Sequence, residues 1–209
     1  MNTKNIIIAV ASILGTFILL FAVYKLTNTQ TPTVFPEINS IRKDDNVKWK
    51  TDSKNIFIEY SDLQCPACRG FYEFFKDLEK TATPNAAFVF RHYPLYQTHP
   101  NAFAAAYAAE SAKLQGKFWE MESALYEKQA EWSGLQNPKE YYIGLASKLK
   151  LDTAKFKQDF ESQAVKDRVQ VDLSEGEKIG VNATPTFFLN GKKVDFATMD
   201  EFKQFLLSL

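Results

Sequence analysis

Residues 55–78, NIFIEYSDLQCPACRGFYEFFKDL, contain the clearest structural signals of the chain. It begins with a β-branched and aromatic run, residues 55–60, whose length and composition are typical of a β-strand. After the pair Cys65-Pro66-Ala67-Cys68, apolar residues recur at i, i+3, i+4 and i+7, which predicts a helix with one buried face. These residues are Phe71, Phe74, Phe75 and Leu78. The two cysteines therefore lie at a junction between a strand and a helix.

Cysteines at the beginning of a helix have distinctive chemistry. The first backbone N–H groups of a helix are unpaired, and with the helix dipole they stabilise a thiolate over a thiol. The thiolate is the nucleophile in disulfide exchange and also the better leaving group. Only two residues separate Cys65 from Cys68, so the pair can form a disulfide within one turn, and Pro66 suits a first helical turn. We expect Cys65 to be the attacking sulfur, and Cys68 to be more buried and to resolve mixed disulfides.

Three other interpretations of the cysteine pair remain. An inert structural disulfide is disfavoured because closing so short a loop removes little entropy from the unfolded chain. A zinc site would need His92 and His99, the chain's histidines, but zinc-binding histidines usually lie about three to five residues apart and these are further separated. Free cytosolic thiols are the third interpretation, and the apolar N-terminus favours export over it.

From about residue 47 onward the sequence indicates one α/β domain. A second strand is predicted over residues 86–91, and amphipathic helices follow over about residues 99–179. Two short strands, 186–189 and 192–195, flank Asn190-Gly191, which favours a type I′ hairpin turn. Thr198 and Glu201 form a capping box before a C-terminal helix. The predicted order is strand, helix, strand, helical insertion, hairpin and helix.

The N-terminus is predicted to be a transmembrane helix. Residues 6–24 carry no charge and are flanked by Lys4 and Lys25. As a helix they would measure about 28 Å, close to the ~30 Å thickness of the hydrocarbon core. We therefore assign residues 1–26 as a membrane anchor, 27–46 as a polar linker and 47–209 as the domain. A cleaved signal peptide is the alternative, although no Ala-x-Ala-like cleavage site follows the run, and charge alone leaves the orientation open.

Composition excludes some classes of function. Of the 209 residues, 25 are basic and 25 acidic, so no excess of Lys and Arg is available to follow phosphates, and nucleic acid is not an expected partner. Two cysteines cannot form the several bridges of a disulfide-rich secreted scaffold. With 45% hydrophobic residues the chain can bury a sizeable core, which excludes wholesale disorder.

Three separate motifs resemble, in the same order, those of DsbA-like thiol:disulfide oxidoreductases of the thioredoxin superfamily. The first is EYSDLQCPACR at residues 59–69. The second is FRHYPL at 90–95, with the Ala-rich helix after it and GKFWE at 116–120. The third is GVNATPTFFLNG at 180–191. The resemblance runs from about residue 50 to the C-terminus and implies a thioredoxin fold whose helical insertion lies between the second strand and the C-terminal hairpin.

The resemblance also implies roles for particular residues. Thr184-Pro185 would contain a cis peptide bond facing the cysteines, expose the Thr184 backbone to an extended substrate peptide, and keep metals away from the thiols. Glu59 would be a buried acid that exchanges protons with Cys68, which a raised pKa permits near neutral pH. A solvent-facing position on the strand remains the alternative for Glu59. His92 and His99 are interpreted as structural or surface residues.

The function that the resemblance implies is an oxidoreductase that introduces disulfides into exported proteins outside the cytoplasm of a bacterium, through Cys65 and Cys68. Strongly oxidising members often carry histidine between the cysteines, whereas this chain has Ala67, so we expect a milder oxidant. The enzyme would need no dissolved cofactor and no metal. Its partners would be exported proteins with free thiols and a quinone-linked membrane reoxidase of the DsbB or vitamin-K-epoxide-reductase (VKOR-like) type.

Two alternatives to this function are kept. The first is a disulfide reductase or isomerase on the same scaffold. The second belongs to a different class, a membrane-anchored peptide-binding or chaperone module whose disulfide is incidental.

Overall fold

The computed structural model describes residues 2–27 and 33–209, except for the side chains at 3, 5, 6, 8–10, 25–27 and 37. The chain divides into two compact units, Met1–Thr33 and Val34–Leu209. The first contains helix α1, Thr3–Thr27, which covers the apolar run. Within the described residues we find no helix with the length and hydropathy that crossing a membrane requires. Part of the predicted anchor falls on side chains outside the described set, so the anchor stays a prediction.

The second unit is built on one mixed β-sheet. Its strands are β1 Asn46–Trp49, β2 Ile56–Ser61, β3 Ala87–His92, β4 Thr186–Leu189 and β5 Lys192–Lys193. Across the sheet they follow the order β1-β3-β2-β4-β5. Strand β2 is parallel to β3 and antiparallel to β4, while β1 and β5 pair antiparallel at the two edges. The central strand β2 thus leads directly into the cysteine pair.

Helices connect the strands as the sequence predicts. Helix α2, Pro66–Glu79, forms the crossover between the parallel strands β2 and β3. The helical insertion lies between β3 and β4, and α9, Met199–Leu207, follows the hairpin. The helices of the insertion are α3 Ala102–Lys113, α4 Phe118–Glu127, α5 Gln129–Trp132, α6 Lys139–Lys148, α7 Thr153–Glu161 and α8 Gln163–Lys178. The α/β thioredoxin architecture with its helical insertion is therefore confirmed.

Local sequence signals act where they were expected. Asn190 and Gly191 have φ values of 50° and 76°, and these are the two positive angles that a type I′ turn requires. The Thr198 side chain accepts a hydrogen bond from the N–H of Glu201 at the start of α9. In return, Glu201 accepts from the N–H of Ala197, one residue before the N-cap. The hairpin and the final helix thus follow directly from local chemistry.

The sheet has an apolar core on each face. On one face, Phe57 of β2 stacks on Phe187 of β4 at a ring-centroid distance of 5.4 Å and packs against Phe75 of α2. On the other face, Ile58 and Tyr60 of β2 pack in a second cluster. Because successive strand residues point to opposite faces, Glu59 lies on the same face as Phe57, under α2.

The linker assignment is wrong for its second half. Residues 34–45, here called the strap, belong to the compact unit with the sheet. Ile38 of the strap is completely buried, and the Phe35 N–H donates to the Gly191 carbonyl at 2.9 Å. The strap then enters β1, an edge strand that the sequence did not predict because it is short and carries polar residues. Composition alone did not show that this polar segment buries single apolar residues.

A buried ion pair fastens the strap to the sheet. The Arg91 side chain on β3 has no exposed surface, and neither has that of Asp45. The Arg91 guanidinium donates to Asp45 Oδ2 at 2.8 Å and to Glu175 Oε1 of α8 at 2.8 Å. Arg42 of the strap also binds Asp45. Because a buried charge without a partner is strongly unfavourable, this cluster should hold the strap in place.

We predict that Asp45→Ala lowers the free energy of unfolding by roughly 3 kcal/mol, because it leaves the Arg91 charge buried with one carboxylate partner fewer. The matched control is the neighbouring Asp44→Ala, since the Asp44 side chain is 53% exposed and its loss should cost less than about 1 kcal/mol. Urea unfolding of both variants measures the difference. Equal losses in the two variants would show that the strap is only loosely attached.

Candidate active site

The two cysteines lie at the N-terminus of α2 with very different burial. Cys65 is the N-cap residue, and Pro66 occupies the first helical position. Both are free thiols in this structure. Cys65 exposes 6% of its surface, whereas Cys68 exposes none. The expected arrangement of an outer sulfur above a buried one is therefore present.

Cys65 is the more acidic thiol. The Cys68 thiol donates a hydrogen bond to the Cys65 sulfur, and this contact lowers the pKa of Cys65 to about 5 although partial burial opposes it. The Thr184 hydroxyl and the backbone N–H groups of Cys68 and Ala67 lower this pKa further. The helix N-terminus thus contributes as expected, but the partner thiol has the larger effect. Cys65 would be largely a thiolate at neutral pH.

Cys68 has the opposite behaviour. Burial raises the pKa of Cys68 well above its usual range, and the hydrogen bond to Cys65 and the nearby Glu59 raise it further. The Asp62 N–H lies 3.5 Å from the Cys68 sulfur, which partly offsets these effects. Cys68 therefore stays protonated when Cys65 is ionised, so that the pair carries one proton and one negative charge.

The Thr184–Pro185 peptide bond is cis, as the resemblance implied, and it faces Cys65. The Cys65 thiol lies 3.5 Å from the Thr184 carbonyl oxygen. The Thr184 hydroxyl is buried and makes no hydrogen bond within the described residues, yet it is close enough to lower the pKa of Cys65. This hydroxyl is consequently a donor that becomes useful when Cys65 ionises.

Glu59 is buried, which excludes the solvent-facing alternative. Only 4% of the residue is exposed. Ser61 Oγ donates to Glu59 Oε1 at 2.6 Å and lies 3.0 Å from the Tyr126 hydroxyl of α4. Burial raises the pKa of Glu59 to about 8, the charge of Glu122 also raises it, and Ser61 and Lys48 lower it. A carboxyl group with this pKa can hold or release a proton near neutral pH beside Cys68.

The loop before the cysteines is held by Asp62, a residue that sequence reasoning did not select. Its carboxylate accepts from the N–H of Gln64 at 2.7 Å and from the N–H of Leu95 at 2.8 Å. It also lies 2.7 Å from His99 Nδ1. His99 is therefore tied to the active-site loop rather than free on the surface, whereas His92 pairs with Glu110 and is structural. Only the nearness of Asp62 to the cysteines hinted at its role.

Gln129 binds the backbone of Cys65. It lies in the short helix α5 and is buried. Its side-chain amide donates to the Leu63 carbonyl at 2.9 Å and to the Cys65 carbonyl at 3.1 Å. No spacing or motif relates position 129 to position 65, so this contact was not predictable without the fold. The helical insertion thus helps to fix the backbone of Cys65.

A cavity of about 370 Å³ lies between the loop after β3 and the segment before the cis-proline. Its lining includes Tyr93, Leu95 and Tyr96 from the first segment and Asn182 from the second. Leu95 is the residue whose N–H binds Asp62, so the cavity adjoins the site. The lining does not include either cysteine, but Asn182 lies two residues before Thr184, so the cavity is close in sequence to the cis-proline segment.

We predict that the Cys65 thiol of the reduced protein reacts with iodoacetamide with a midpoint at about pH 5. Cys68→Ala removes the hydrogen-bond donor and should raise this midpoint by at least about one unit, because a hydrogen bond to the thiolate lowers its pKa. Cys68→Ser is the matched control, since its hydroxyl can still donate, and it should stay closer to the wild type. A wild-type midpoint near the usual ~8.5, or identical midpoints in all three proteins, would contradict this account.

Comparison with known proteins agrees with the fold. A family model described as Thioredoxin matches residues 42–207. Among solved structures, oxidised BdbD from Bacillus subtilis is similar with a TM-score of 0.71 and 22% identity, over 86% of this chain and 98% of that one. The alpha-DsbA1 of Wolbachia pipientis is similar with a TM-score of 0.68 and 21% identity, over 83% and 96% of the two chains. At these identities the likeness is one of fold.

Curated relatives share more of the sequence. The Na(+)/H(+) antiporter NhaA 1 of Mycolicibacterium vanbaalenii is 34% identical over 192 residues, which is 87% of this chain and 29% of that protein. The NhaA protein of Herminiimonas arsenicoxydans is 33% identical over 163 residues, which is 78% of this chain and 24% of the relative. The chain thus spans less than a third of the length of these relatives. The antiporter activity in their names belongs to those longer proteins.

The family match covers most of the chain, and it includes the strand, the cysteine pair and the cis-proline described above. The chain therefore belongs to the thioredoxin family, and its fold is similar to those of BdbD and alpha-DsbA1.

Proposed function

We propose that this chain is a thiol:disulfide oxidoreductase that introduces disulfides into exported proteins through Cys65 and Cys68. The observation that carries the proposal is the asymmetry of the two sulfurs. Cys65 is partly accessible and its pKa is lowered to about 5, whereas Cys68 is buried and its pKa is raised. An accessible thiolate above a protonated thiol suits disulfide exchange, because the accessible sulfur is a good leaving group and the buried one can resolve intermediates.

The reaction begins with the Cys65–Cys68 disulfide of the oxidised enzyme. A substrate thiolate attacks the Cys65 sulfur, a substrate–Cys65 bond forms, and Cys68 leaves and takes a proton from the Glu59 carboxyl group. A second substrate thiolate then attacks the substrate sulfur of this mixed disulfide, and Cys65 leaves as a thiolate. The substrate has lost two electrons to the enzyme sulfurs and gained a disulfide.

Substrate binding is proposed to use the cis-proline segment. The Thr184 carbonyl lies beside the Cys65 sulfur, so a peptide paired with the Thr184 backbone as an added strand would bring its own cysteine to that sulfur. The cavity next to this segment, lined by Tyr93, Leu95 and Tyr96, would accept neighbouring side chains. Backbone pairing places few demands on the client's sequence, which suits an enzyme with many clients.

The direction of electron flow follows from the stabilised thiolate. Stabilising the reduced form makes a disulfide more oxidising, and thiolate pKa values run from ~3.5 in DsbA to ~7 in thioredoxin. The pKa of about 5 for Cys65 falls between them, as expected for a milder oxidant without histidine at position 67. Net oxidation is therefore favoured over reduction in a compartment that permits disulfides.

Location at a membrane, with the catalytic domain outside the cytoplasm, is part of the proposal. It is supported by the uncharged run at residues 6–24 of the sequence. Since the chain has two cysteines and both belong to the redox pair, a partner must reoxidise it. We propose a quinone-linked membrane protein of the DsbB or VKOR-like type for that step.

Trapping of clients tests the mechanism. Cys68→Ser should accumulate mixed disulfides between Cys65 and exported proteins, because no second enzyme sulfur can release them, and non-reducing gels followed by mass spectrometry would detect them. Cys65→Ser should form none and should lose at least about a thousandfold in the rate of oxidising a reduced dithiol peptide. The absence of any adduct of the Cys68→Ser protein in an exported fraction would overturn the mechanism.

The same variants separate the alternatives. An isomerase would restore activity to scrambled ribonuclease faster than the chain oxidises a reduced peptide, and a reductase would consume client disulfides instead of forming them. If the chain is a peptide-binding or chaperone module, the Cys65→Ser variant should still support the folding of client proteins.

Anchoring has its own test. The full chain should remain in the membrane pellet after extraction with alkaline carbonate, whereas a variant lacking residues 2–33 should be released, because the apolar run is then missing. Release of the full chain together with the shortened one would overturn the anchor.

A further inference from the structure

Glu122 is a buried acid on α4 that the mechanism above does not use. Only 4% of the residue is exposed. Burial raises the pKa of Glu122 to about 7. Burial of a carboxyl group is costly to the fold, so its position calls for a functional explanation.

The position of Glu122 relates it to Glu59. Glu122 precedes Tyr126 by four residues on α4, so the two side chains lie on the same face of the helix. The Tyr126 hydroxyl lies 3.0 Å from Ser61 Oγ, which in turn donates to Glu59 at 2.6 Å. Helix α4 therefore presents Glu122 and Tyr126 together to the face of the sheet that carries Glu59.

One cation lies near both acids. Lys48 of β1 is in register with Phe88 of β3, on the face that carries Glu59. Its Nζ is 2.9 Å from Glu79 Oε1 and 4.9 Å from the centre of the Trp119 ring. The charge of Lys48 lowers the pKa of both Glu59 and Glu122, and Glu79 raises that of Glu122. The charge of Glu122 thus acts on Glu59, and the charges of the partly exposed Lys48–Glu79 pair act on Glu122.

We propose that Glu59 and Glu122 act as a carboxyl pair that holds a single proton near neutral pH, and that the negative charge of Glu122 keeps this proton on Glu59, where Cys68 can take it. The inference rests on the proposed function and assigns Glu122 as a positioning residue for its proton step. Two carboxylates in one low-dielectric site rarely ionise together, because each charge disfavours the other.

The proton balance is simple. When Cys68 leaves the disulfide as a thiolate, the Glu59 carboxyl proton moves to the Cys68 sulfur, and Glu59 becomes a carboxylate beside the Glu122 carboxylate. The second negative charge is neutralised when either Glu59 or Glu122 takes a proton from water near Lys48 and Glu79. The charged and titratable groups that face the pair are Cys65 at the N-cap of α2, Cys68 and Glu79 of α2, Tyr126 of α4 and Lys48 of β1.

The test compares Glu122→Gln with Glu120→Gln in the oxidised full-length protein, where neither sulfur titrates. Glu120 lies on the same helix, but its side chain is 44% exposed and pairs with Lys117. Side-chain carboxyl ¹³C NMR on glutamate-labelled protein follows each titration. Glu122→Gln should lower the pKa of Glu59 by about one unit. Glu59→Gln should lower the pKa of Glu122 by the same amount, because the coupling between two titrating groups is reciprocal. Glu120→Gln should change neither.

The pH dependence of the reaction rate distinguishes a role of Glu122 in the proton step from a purely structural role. A drop of one unit in the Glu59 titration reduces its protonated fraction at pH 8 about fivefold, so the reaction of the oxidised enzyme with a dithiol peptide should slow by a similar factor there and little at pH 6. If the Glu122→Gln protein does not fold, Lys48→Met is the second variant to measure. It should raise the pKa values of both Glu59 and Glu122, because it removes a nearby positive charge.

The outcomes are distinct. If the pKa of Glu59 is the same in the wild type, Glu122→Gln and Lys48→Met, the carboxyl pair is overturned. This holds even if the enzyme exchanges disulfides normally. An oxidised wild-type protein that does not react with thiols at all would instead overturn the proposed function.

Discussion

The hydrogen bond from the buried Cys68 thiol to the Cys65 sulfur is the interaction on which the site depends. It makes one sulfur acidic and the other basic, although both belong to the same helical turn. The difference comes from burial: Cys68 has no exposed surface and holds its proton, and that proton then stabilises the Cys65 thiolate. If both thiols were equally exposed, neither would differ enough from an ordinary cysteine to favour one direction of exchange.

The rest of the fold keeps this arrangement in place. Strand β2 lies in the centre of the sheet, so the helix that follows it begins above a rigid layer. Asp62 ties the intervening loop to the loop after β3, and Gln129 of the insertion holds the Cys65 carbonyl. The cis-proline segment brings the Thr184 carbonyl to the exposed side of the sulfur. Beneath it, Glu59 supplies a carboxyl group that titrates near neutral pH. Each contact comes from a different part of the chain.

Sequence reasoning succeeded where local chemistry decides the structure. The strand before the cysteines, the Asn190-Gly191 turn and the Thr198 cap follow from residue preferences within a few positions. It failed where single residues bind distant partners. The strap was interpreted as a linker because its composition is polar, yet Ile38 and the side chain of Asp45 have no exposed surface. Gln129 and Glu122 lie on helices whose sequence carries no sign that they face the active site. The identity of such residues shows the chemistry that is available, and only the fold shows where it is used.

The reduction potential of the Cys65–Cys68 pair shows whether the stabilised Cys65 thiolate makes the pair an oxidant. Thioredoxin has a potential of ~−270 mV with a thiolate pKa of ~7, and DsbA has ~−120 mV with a pKa of ~3.5. Stabilisation of the thiolate raises the potential, so the lowered pKa of Cys65 places the potential between those of thioredoxin and DsbA, above ~−270 mV and below ~−120 mV. Equilibration with glutathione redox buffers measures it. A value in that range supports a moderately oxidising enzyme, and a value of about −270 mV or lower would contradict the oxidase account.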